Sequence, residues 1–274
     1  MPEMPEVETI RRSLQHRLEG RQFTAVDIRL PRLIKWPVAA DFPGYVLHRQ
    51  IITLARRGKY LLLYLEGDMV LVIHLRMTGK LMYATACDEP DHYTHIIFHL
   101  DNGDRLFYAD TRTLGTIYAL EESELWRIAG LTRMGPEPLS DEFTFDYFSQ
   151  TLSSRKGRIK ALLLNQDVIG GLGNIYVDES LAIACIDPDR GASTLTPDEL
   201  ERLYNAINKV IGDAIHHGGT TFRDYRDGEG QSGSHQHHLH VYGRAGQPCH
   251  GCGSPIARKE SAGRGTHYCP HCQK

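Results

Sequence analysis

The 274-residue sequence lacks several features that would place it in a specialised class of protein. It has no apolar stretch of about 18 residues or more, so no segment is long enough to cross a bilayer as a helix. Its N-terminus has neither the basic segment nor the long apolar run of a signal peptide, from which we expect a cytoplasmic protein. It contains no Gly-Lys-Ser/Thr sequence, which argues against a nucleotide-binding P-loop. It also has no internal repeat.

A strong positive charge is missing as well, because 31 Lys and Arg residues face 34 Asp and Glu residues, for a net charge of −3. Nucleic-acid-binding proteins are often strongly basic, so this value argues mildly against such a partner. The local field matters more than the total, however, and the last 31 residues hold five Lys or Arg against one acidic residue. Any one cluster could be a solvated face, but three together indicate a polyanionic partner. The other two clusters are Arg56, Arg57 and Lys59, and Arg155, Lys156, Arg158 and Lys160.

Cysteine is sparse, yet four of the six cysteines have the spacing C-x2-C-x16-C-x2-C. Two knuckles of this spacing place four thiolates tetrahedrally around one Zn²⁺ at about 2.3 Å, with no open position for catalysis. We therefore expect one structural zinc ion. Its ligands are Cys249, Cys252, Cys269 and Cys272, whereas Cys87 and Cys185 are interpreted as unpaired structural cysteines. The tract HQHHLH (235–240) is predicted to be a strand, because alternation would divide its histidines between two faces.

The hydrophobic pattern divides the chain into a β-rich part and a helical part. Residues 22–120 contain short β segments with a DNGD turn at 101–104, which predicts an antiparallel sandwich or barrel. An acidic, proline-bearing stretch then precedes helical periodicity. We expect an N-terminal domain over residues 1–130, a linker over 131–153, a helical domain over 154–234 and a zinc-binding segment over 235–274.

Local signals place four helices and one loop. A helix begins at Pro5 and is followed by the apolar stripe of Val7, Ile10, Leu14 and Leu18. Short helices are predicted around 159–163 and from Asn174, after the turn GGLG. A capping box at 196–199 opens a longer helix that ends at Gly218 and Gly219. The glycine-rich residues 220–234 are predicted to form a mobile loop.

The N-terminal sequence MPEMPEVETIRR allows two interpretations. The simpler one is a well-capped helix, with Pro5 and Glu6 in its first turn. The other is chemical, because removal of Met1 would expose the secondary amine of Pro2. An α-amino group has a pKa of about 7.7–8.0, against about 10.4 for lysine, so far more of it is nucleophilic at neutral pH. Glu3 lies one residue away and could handle protons.

Three motifs in order, MPEMPEVET, GGLGNIYVDE and AGRGTHYCPHCQ, give the sequence a resemblance to the bacterial formamidopyrimidine-DNA glycosylase family over essentially the whole chain. The PEVET segment favours this family over the related endonuclease VIII group. The resemblance implies an α+β protein, with an N-terminal antiparallel β-sandwich and helix, a helix-two-turn-helix domain and a four-cysteine zinc finger. It also implies a bifunctional DNA glycosylase and AP lyase that excises 8-oxoguanine and formamidopyrimidines in base excision repair. Such an enzyme acts on damaged double-stranded DNA as a monomer, without an organic cofactor.

The resemblance also implies roles for individual residues. Pro2 matches the nucleophile that attacks C1′ of the damaged nucleotide, Glu3 the acid that assists opening of the sugar ring, and Glu6 a nearby carboxylate. Lys59 matches a lysine that grips phosphate beside the lesion. A flipped base leaves a gap that three side chains fill. Met77, Arg112 and Leu114 match these three, with Leu114 standing where the family normally has phenylalanine.

The remaining predicted DNA contacts are distributed along the chain. His74 matches a contact to the DNA backbone, and Asn174 and Arg264 match phosphate-binding residues; Lys160 of the basic cluster is added to them. In the 220–234 loop, Thr220, Thr221 and Tyr225 are predicted to recognise the lesion. Met77 and Leu114 could instead be ordinary core residues. Two other functions stay open: a non-catalytic or lyase-only relative that binds damaged or abasic DNA, and a zinc-stabilised RNA- or ribosome-binding protein.

Overall fold

The computed structural model describes residues 2–274, which divide into two compact units. The first unit comprises the chain up to Thr132 together with residues 217–236, and the second comprises residues 133–216 and 237–274. The sequence analysis grouped the 220–234 loop with the helical domain, whereas in the structure this loop packs within the N-terminal unit. None of the helices in residues 2–274 has the length and apolar character needed to span a membrane.

Two sheets form the sandwich of the first unit. A four-stranded sheet has the order β1-β7-β8-β6, and a five-stranded sheet has the order β2-β9-β5-β4-β3. The strands are β1 (Phe23–Ile28), β2 (Ile34–Trp36), β3 (Ile51–Arg57), β4 (Tyr60–Leu65), β5 (Met69–His74), β6 (Gly79–Ala84), β7 (Thr94–Leu100), β8 (Arg105–Asp110) and β9 (Thr116–Glu121). All pairs are antiparallel except β2 with β9, which is parallel. The predicted antiparallel sandwich is thus confirmed apart from one short edge strand.

The core of the first unit lies between the two sheets and includes Phe98 of β7 and Leu71 of β5. Helix α1 (Met4–Leu18) packs on it through the predicted stripe, whose members Val7, Ile10, Leu14 and Leu18 are fully buried. The period of this stripe orients the helix, so its first turn and the residues before it are held against the sandwich. The remaining helices of this unit are α2 (Phe42–Val46), α3 (Ala129–Thr132) and two 3-10 helices, Pro31–Leu33 and Glu122–Arg127.

The second unit is helical and ends in a hairpin. Its helices are α4 (Phe145–Ser153), α5 (Ile159–Leu164), α6 (Asn174–Ile183) and α7 (Pro197–His216), with a 3-10 turn at Ala192–Thr194, and its strands are β10 (Ala257–Ser261) and β11 (Arg264–Tyr268). The capping box of α7 is confirmed, because Thr196 Oγ1 accepts the Glu199 N–H and Glu199 Oε2 accepts the Thr196 N–H. The stretch predicted as a linker contains α4, whose N-terminus is capped by the Thr144 hydroxyl.

The prediction of a strand over 235–240 is wrong, since His235–His238 form a 3-10 helix. The His235 N–H donates to the carbonyl of Gly219, and the Gln236 side chain bonds both the Thr221 N–H and the Gly233 carbonyl. These contacts tie the segment to the base of the 220–234 loop. The backbone and side-chain polar groups of His235 and Gln236 are hydrogen-bonded through these contacts, so the segment does not pair with a neighbouring strand.

Candidate active site and nucleic-acid interface

The first turn of α1 is built around a buried carboxylate, that of Glu6. One oxygen accepts the Glu3 N–H at 2.8 Å, and the other accepts the Thr220 N–H at 2.7 Å. Pro2, Glu3 and Glu6 are all buried. Because a charged acceptor makes strong hydrogen bonds to backbone N–H groups, Glu6 holds both the residue after Pro2 and the base of the loop. Met1, whose removal the predicted chemistry requires, lies outside the described residues.

Glu8 connects this turn to the sheet. Its carboxylate pairs with Arg11 and Arg12 on α1 and with Arg56 at the end of β3. Burial raises the pKa of Glu8, but the hydrogen bonds and charges of these arginines outweigh it and lower the pKa to about 2. The start of α1 is thereby joined to the end of β3, three residues before Lys59 in the β3–β4 turn.

His74 lies beside Lys59 at the same end of the five-stranded sheet, since His74 pairs with Tyr60 across β4 and β5. Burial, assisted by the positive charges of Arg76 and Lys59, lowers the pKa of His74 to about 3. Its Nδ1 accepts the Arg76 N–H at 3.0 Å. A neutral imidazole carries one proton, so this proton is on Nε2, where the ring is a hydrogen-bond donor. The structure therefore brings together the two residues predicted to contact phosphate in this unit.

The predicted gap-filling residues lie on two turns near this end of the sheets. Met77 and Leu114 expose 38% and 46% of their surface, which excludes the alternative that they are core residues, and Arg112 is exposed too. Each apolar residue follows a non-glycine residue with positive φ, Arg76 at 55° and Thr113 at 51°. This backbone conformation costs roughly 1–2 kcal/mol for an L-residue, so the surrounding contacts must hold both turns.

In the 220–234 loop, the side chains predicted to recognise the lesion make contacts within the protein. Thr220 and Tyr225 are buried, and the Tyr225 hydroxyl donates to the carbonyl of Gly218 at 3.2 Å. Thr221 is also engaged, since its hydroxyl oxygen accepts the Gly233 N–H. These contacts brace the loop within the first unit, and the role of the three residues in lesion recognition stays a prediction. The exposed residues between Thr221 and Tyr225 are Phe222, Arg223 and Asp224, which the sequence analysis did not single out because nothing in the local pattern marks them.

Glycine is required where the two ends of this loop approach each other. A Cβ at Gly233 would lie 2.1 Å from the carbonyl oxygen of Gly219, which is shorter than any real contact. Farther along, the Gly228 N–H donates to the Ser13 hydroxyl, and the Gly228 carbonyl accepts the Tyr83 N–H. The loop is thus attached at its base to the first turn of α1 and at its middle to α1 and β6.

In the second unit, Asn174 and Arg264 lie close together, because Asn174 bonds the residue that follows Arg264. Arg264 is exposed at the start of β11, directly after a two-residue turn in which Ala262 and Gly263 have φ values of 52° and 66°. Asn174 is the first residue of α6, where backbone N–H groups are available to an anion. Its Nδ2 donates to the carbonyl of Gly265 at 2.9 Å. This bond places the Asn174 side chain against the first residues of β11.

The prediction that Lys160 contacts DNA is wrong in this structure, because its side chain is fully buried. Its Nζ lies 2.6 Å from Asp178 Oδ1 on α6 and 2.7 Å from Thr266 Oγ1 on β11. The charge pattern around residue 160 suggested a solvated cluster. The apolar neighbours Ile159 and Leu163 instead turn this face of α5 inward, and Lys160 follows them.

The four predicted metal ligands converge. The Sγ atoms of Cys249, Cys252, Cys269 and Cys272 all lie within 4.8 Å of one another. Tetrahedral Zn–S bonds of about 2.3 Å require sulfur–sulfur distances of about 3.8 Å, so the four thiolates fit one zinc ion. No fifth ligand or open position is needed, which identifies the site as structural. The hairpin β10–β11 that carries Arg264 is the segment between the two pairs of cysteines.

Family models match three consecutive parts of the chain. The formamidopyrimidine-DNA glycosylase N-terminal domain matches residues 1–117, the H2TH domain of the same enzymes matches 134–226, and the zinc finger found in FPG and IleRS matches 246–274. The chain belongs to the formamidopyrimidine-DNA glycosylase family. This membership accounts for the order of the sandwich, the helical domain and the four-cysteine finger along one polypeptide.

Individual relatives resemble this family member over its full length. Formamidopyrimidine-DNA glycosylases from Desulforamulus reducens and Pelotomaculum thermopropionicum are 50% and 47% identical, and each alignment covers 100% of this chain and 99% of the relative. The crystal structure of the MutM (FPG) protein from Thermus thermophilus matches with a TM-score of 0.90 and 40% identity over 99% of this chain and 98% of that one. A Lactococcus lactis FPG complex with DNA containing an abasic site matches with a TM-score of 0.94 and 34% identity, covering 100% of both chains.

Proposed function

We propose that this protein is a bifunctional DNA glycosylase and AP lyase that removes 8-oxoguanine opposite cytosine and formamidopyrimidines from duplex DNA. It would act as a monomer on chromosomal DNA in the bacterial cytosol, as part of base excision repair. The relatives named formamidopyrimidine-DNA glycosylase and the L. lactis complexes with damaged DNA support this substrate class.

The proposed reaction begins once Met1 has been removed and Pro2 has a free secondary amine. Its nitrogen bonds to C1′ as the bond from C1′ to the damaged base breaks, and the base departs with the bonding electrons and a proton. Opening of the sugar ring, assisted by Glu3, yields an iminium ion. This cation acidifies C2′, and loss of its proton expels the 3′ phosphate by β-elimination. A second elimination then expels the 5′ phosphate.

The observation that carries the proposal is the double hydrogen bond of Glu6. The carboxylate holds the Glu3 N–H and the Thr220 N–H at 2.8 and 2.7 Å, so it orients the peptide that follows the nucleophile. An amine reacts faster when it is held in position, because the translational and rotational entropy of bringing the two groups together has already been lost before the reaction begins. A merely well-capped helix would not need its first turn tied to a residue more than two hundred positions away.

Phosphate binding supports the same function. Lys59 and the Nε2–H of neutral His74 lie together in the first unit, while in the second Asn174 bonds the residue that follows the exposed Arg264. Arginine suits two-point binding of phosphate, and a helix N-terminus adds backbone donors. RNA binding is the alternative, and the reaction itself distinguishes the two functions.

Borohydride trapping tests the proposal directly. Intact mass analysis should first show that Met1 is absent. Borohydride should then reduce the iminium ion and leave a covalent adduct with duplexes that carry 8-oxoguanine or an abasic site, with much less adduct on an oxidised pyrimidine. Pro2→Gly should lose most of the adduct, because the amine becomes primary and less constrained. Pro43→Ala changes a proline at the start of α2 and should trap like the wild type.

If Pro2→Gly and the wild type trap equally well on every duplex, the assignment of Pro2 is wrong. Binding of abasic DNA without any adduct would instead favour a non-catalytic relative. Trapping on abasic sites without excision of 8-oxoguanine would favour a lyase-only enzyme.

A further inference from the structure

The two exposed turns share one buried carboxylate, that of Asp110. We define the Met77 turn as residues 75–78 and the Arg112 turn as residues 111–115. Asp110 is the last residue of β8 and only 1% of its surface is exposed. A carboxylate at this depth is costly unless hydrogen bonds compensate the loss of water. Its bonds should therefore show what it does.

Each oxygen of Asp110 has donors from the turns. Oδ1 accepts the Thr78 hydroxyl at 2.6 Å and the Arg112 N–H at 3.2 Å. Oδ2 accepts the Gly115 N–H at 2.8 Å, and the Tyr108 hydroxyl lies 3.5 Å from it. Burial raises the pKa of Tyr108, which keeps its hydroxyl a donor. One carboxylate thus binds both ends of the Arg112 turn and one residue of the Met77 turn.

Thr78 completes the link between the turns. Its hydroxyl donates to Asp110 and its oxygen accepts the Arg112 N–H at 3.1 Å, so it lies between the two turns with both hydrogen-bonding functions engaged. The Arg112 turn is also closely packed, because a Cβ at Gly115 would lie 1.6 Å from the Tyr108 hydroxyl. Neither turn can therefore move far without breaking a bond to Asp110 or Thr78.

We propose that Asp110 and Thr78 are positioning residues that join the Met77 and Arg112 turns, so that Met77, Arg112 and Leu114 enter the duplex as one rigid group. The inference rests on the proposed function, in which these side chains fill the gap left by a flipped base. Its physical reason is pre-organisation, because side chains that are already fixed lose less entropy when they insert. The two residues with positive φ fit this role, since Asp110 and Thr78 supply the contacts that hold strained turns.

A double-mutant cycle on DNA binding tests the coupling without using the chemical reaction. The probe is a duplex with a tetrahydrofuran abasic analogue opposite cytosine, and its Kd is measured by fluorescence anisotropy for the wild type, M77A, L114A and M77A/L114A. The increase in Kd of the double variant should differ by about tenfold from the product of the two single increases. This is the size expected when one hydrogen-bonded group holds both side chains. In the T78V background the same three substitutions should become additive, since valine keeps the shape but removes the bridge.

Asp110→Asn is the second variant, because an amide places N–H groups where the carboxylate accepts them. It should weaken excision of 8-oxoguanine from duplex DNA by about tenfold or more while leaving borohydride trapping on a single-stranded abasic oligonucleotide unchanged. Asp104→Asn is the matched control. Asp104 lies just before the opposite end of β8, far from both turns, and accepts hydrogen bonds from the Tyr83 hydroxyl, the Asn102 side chain and the Ala86 N–H. It should leave both activities unchanged.

The outcomes separate this inference from the proposed function. Additive losses in both the native and the T78V backgrounds would overturn the coupling, even if the enzyme excises 8-oxoguanine normally. Equal loss of duplex excision and single-strand trapping in D110N would also overturn it, because Asp110 would then only maintain the fold. If the wild type forms no borohydride adduct at all, the proposed chemistry is contradicted instead. The binding cycle would still show whether Met77 and Leu114 are coupled.

Discussion

His74 shows how burial determines the chemistry of a single side chain. Histidine usually changes charge near neutral pH, yet here its pKa is lowered to about 3 by burial first and by Arg76 and Lys59 second. The ring therefore stays neutral throughout the physiological range. Its hydrogen bond from the Arg76 N–H directs the remaining proton to Nε2. A neutral donor can bind phosphate without the pH dependence that a charged imidazole would introduce.

This depressed pKa predicts how stability depends on pH. In the unfolded chain the imidazole takes up a proton below about pH 6.5, whereas the folded protein does not until about pH 3. The contribution of neutral His74 to the free energy of unfolding is thus fully present above pH 6.5 and is lost as the pH falls toward 3. The slope is up to about 1.4 kcal/mol per pH unit. His74→Asn keeps an acceptor for the Arg76 N–H but cannot titrate. The free energy of unfolding, measured with urea, should therefore fall less steeply between pH 7 and pH 4 in this variant than in the wild type.

His92→Asn provides the control for this experiment, because His92 is exposed. Its pH profile should follow that of the wild type. Parallel profiles for the wild type and H74N would mean that His74 takes up its proton at the same pH in the folded and unfolded protein, which would contradict the lowered pKa.

Among the secondary-structure elements, those with local signals were predictable and those set by distant contacts were not. The stripe of α1, the capping box of α7 and the DNGD hairpin each depend on residues within a few positions, and all three are confirmed. The 3-10 helix at His235–His238 depends on Gly219 and Thr221, which the pattern of HQHHLH cannot reveal. For the same reason the sequence identified the zinc cysteines by spacing but did not identify the buried roles of Lys160 and Tyr225.

Lys160 joins α5, α6 and β11, and its removal should destabilise the second unit. Lys160→Met preserves length but takes away the cation that pairs with fully buried Asp178. Removing one partner of a buried ion pair costs roughly 3–5 kcal/mol, because the other charge stays buried. Guanidinium unfolding should show a loss of this size. Lys156→Met removes an exposed lysine of the same basic cluster and should change stability by no more than about 0.5 kcal/mol.

The two lysines should also differ in DNA binding. At a salt concentration where both variants are folded, K160M should keep the wild-type dependence of affinity on salt, because its ammonium does not reach solvent. A reduced salt slope in K160M together with unchanged stability would show that Lys160 contacts phosphate after all.

The whole molecule combines a negative net charge with a basic, metal-held hairpin. The consecutive acids Asp178 and Glu179 of α6 hold the finger at two places. Asp178 accepts the His267 N–H, and Glu179 accepts the N–H groups of His240, Val241 and Tyr242. Burial raises the pKa of Glu179, but the hydrogen bond to the His240 ring and those from the three backbone N–H groups lower it overall, so the carboxylate is charged. The chain thereby places the start of β11, with Arg264, beside Asn174 through contacts within one unit, although the total charge gives no sign of the phosphate site proposed there.

Removal of zinc should therefore abolish the proposed phosphate site at Arg264 while leaving the proposed N-terminal chemistry in place. The finger has only a small apolar cluster around Ile256, so four thiolates without their metal cannot hold the hairpin. Cys252→Ser should lose the single zinc ion measured by mass spectrometry, and its DNA affinity should fall with a salt slope smaller by about 1, as expected for loss of the Arg264 contact. Borohydride trapping on single-stranded abasic DNA should persist, because Pro2, Glu3 and Glu6 belong to the first unit.

Cys185→Ser alters an exposed cysteine outside the cluster and should retain both the metal and the affinity. If Cys252→Ser loses zinc yet keeps the wild-type salt slope, the finger does not position Arg264 on DNA, and binding must depend on contacts outside the finger.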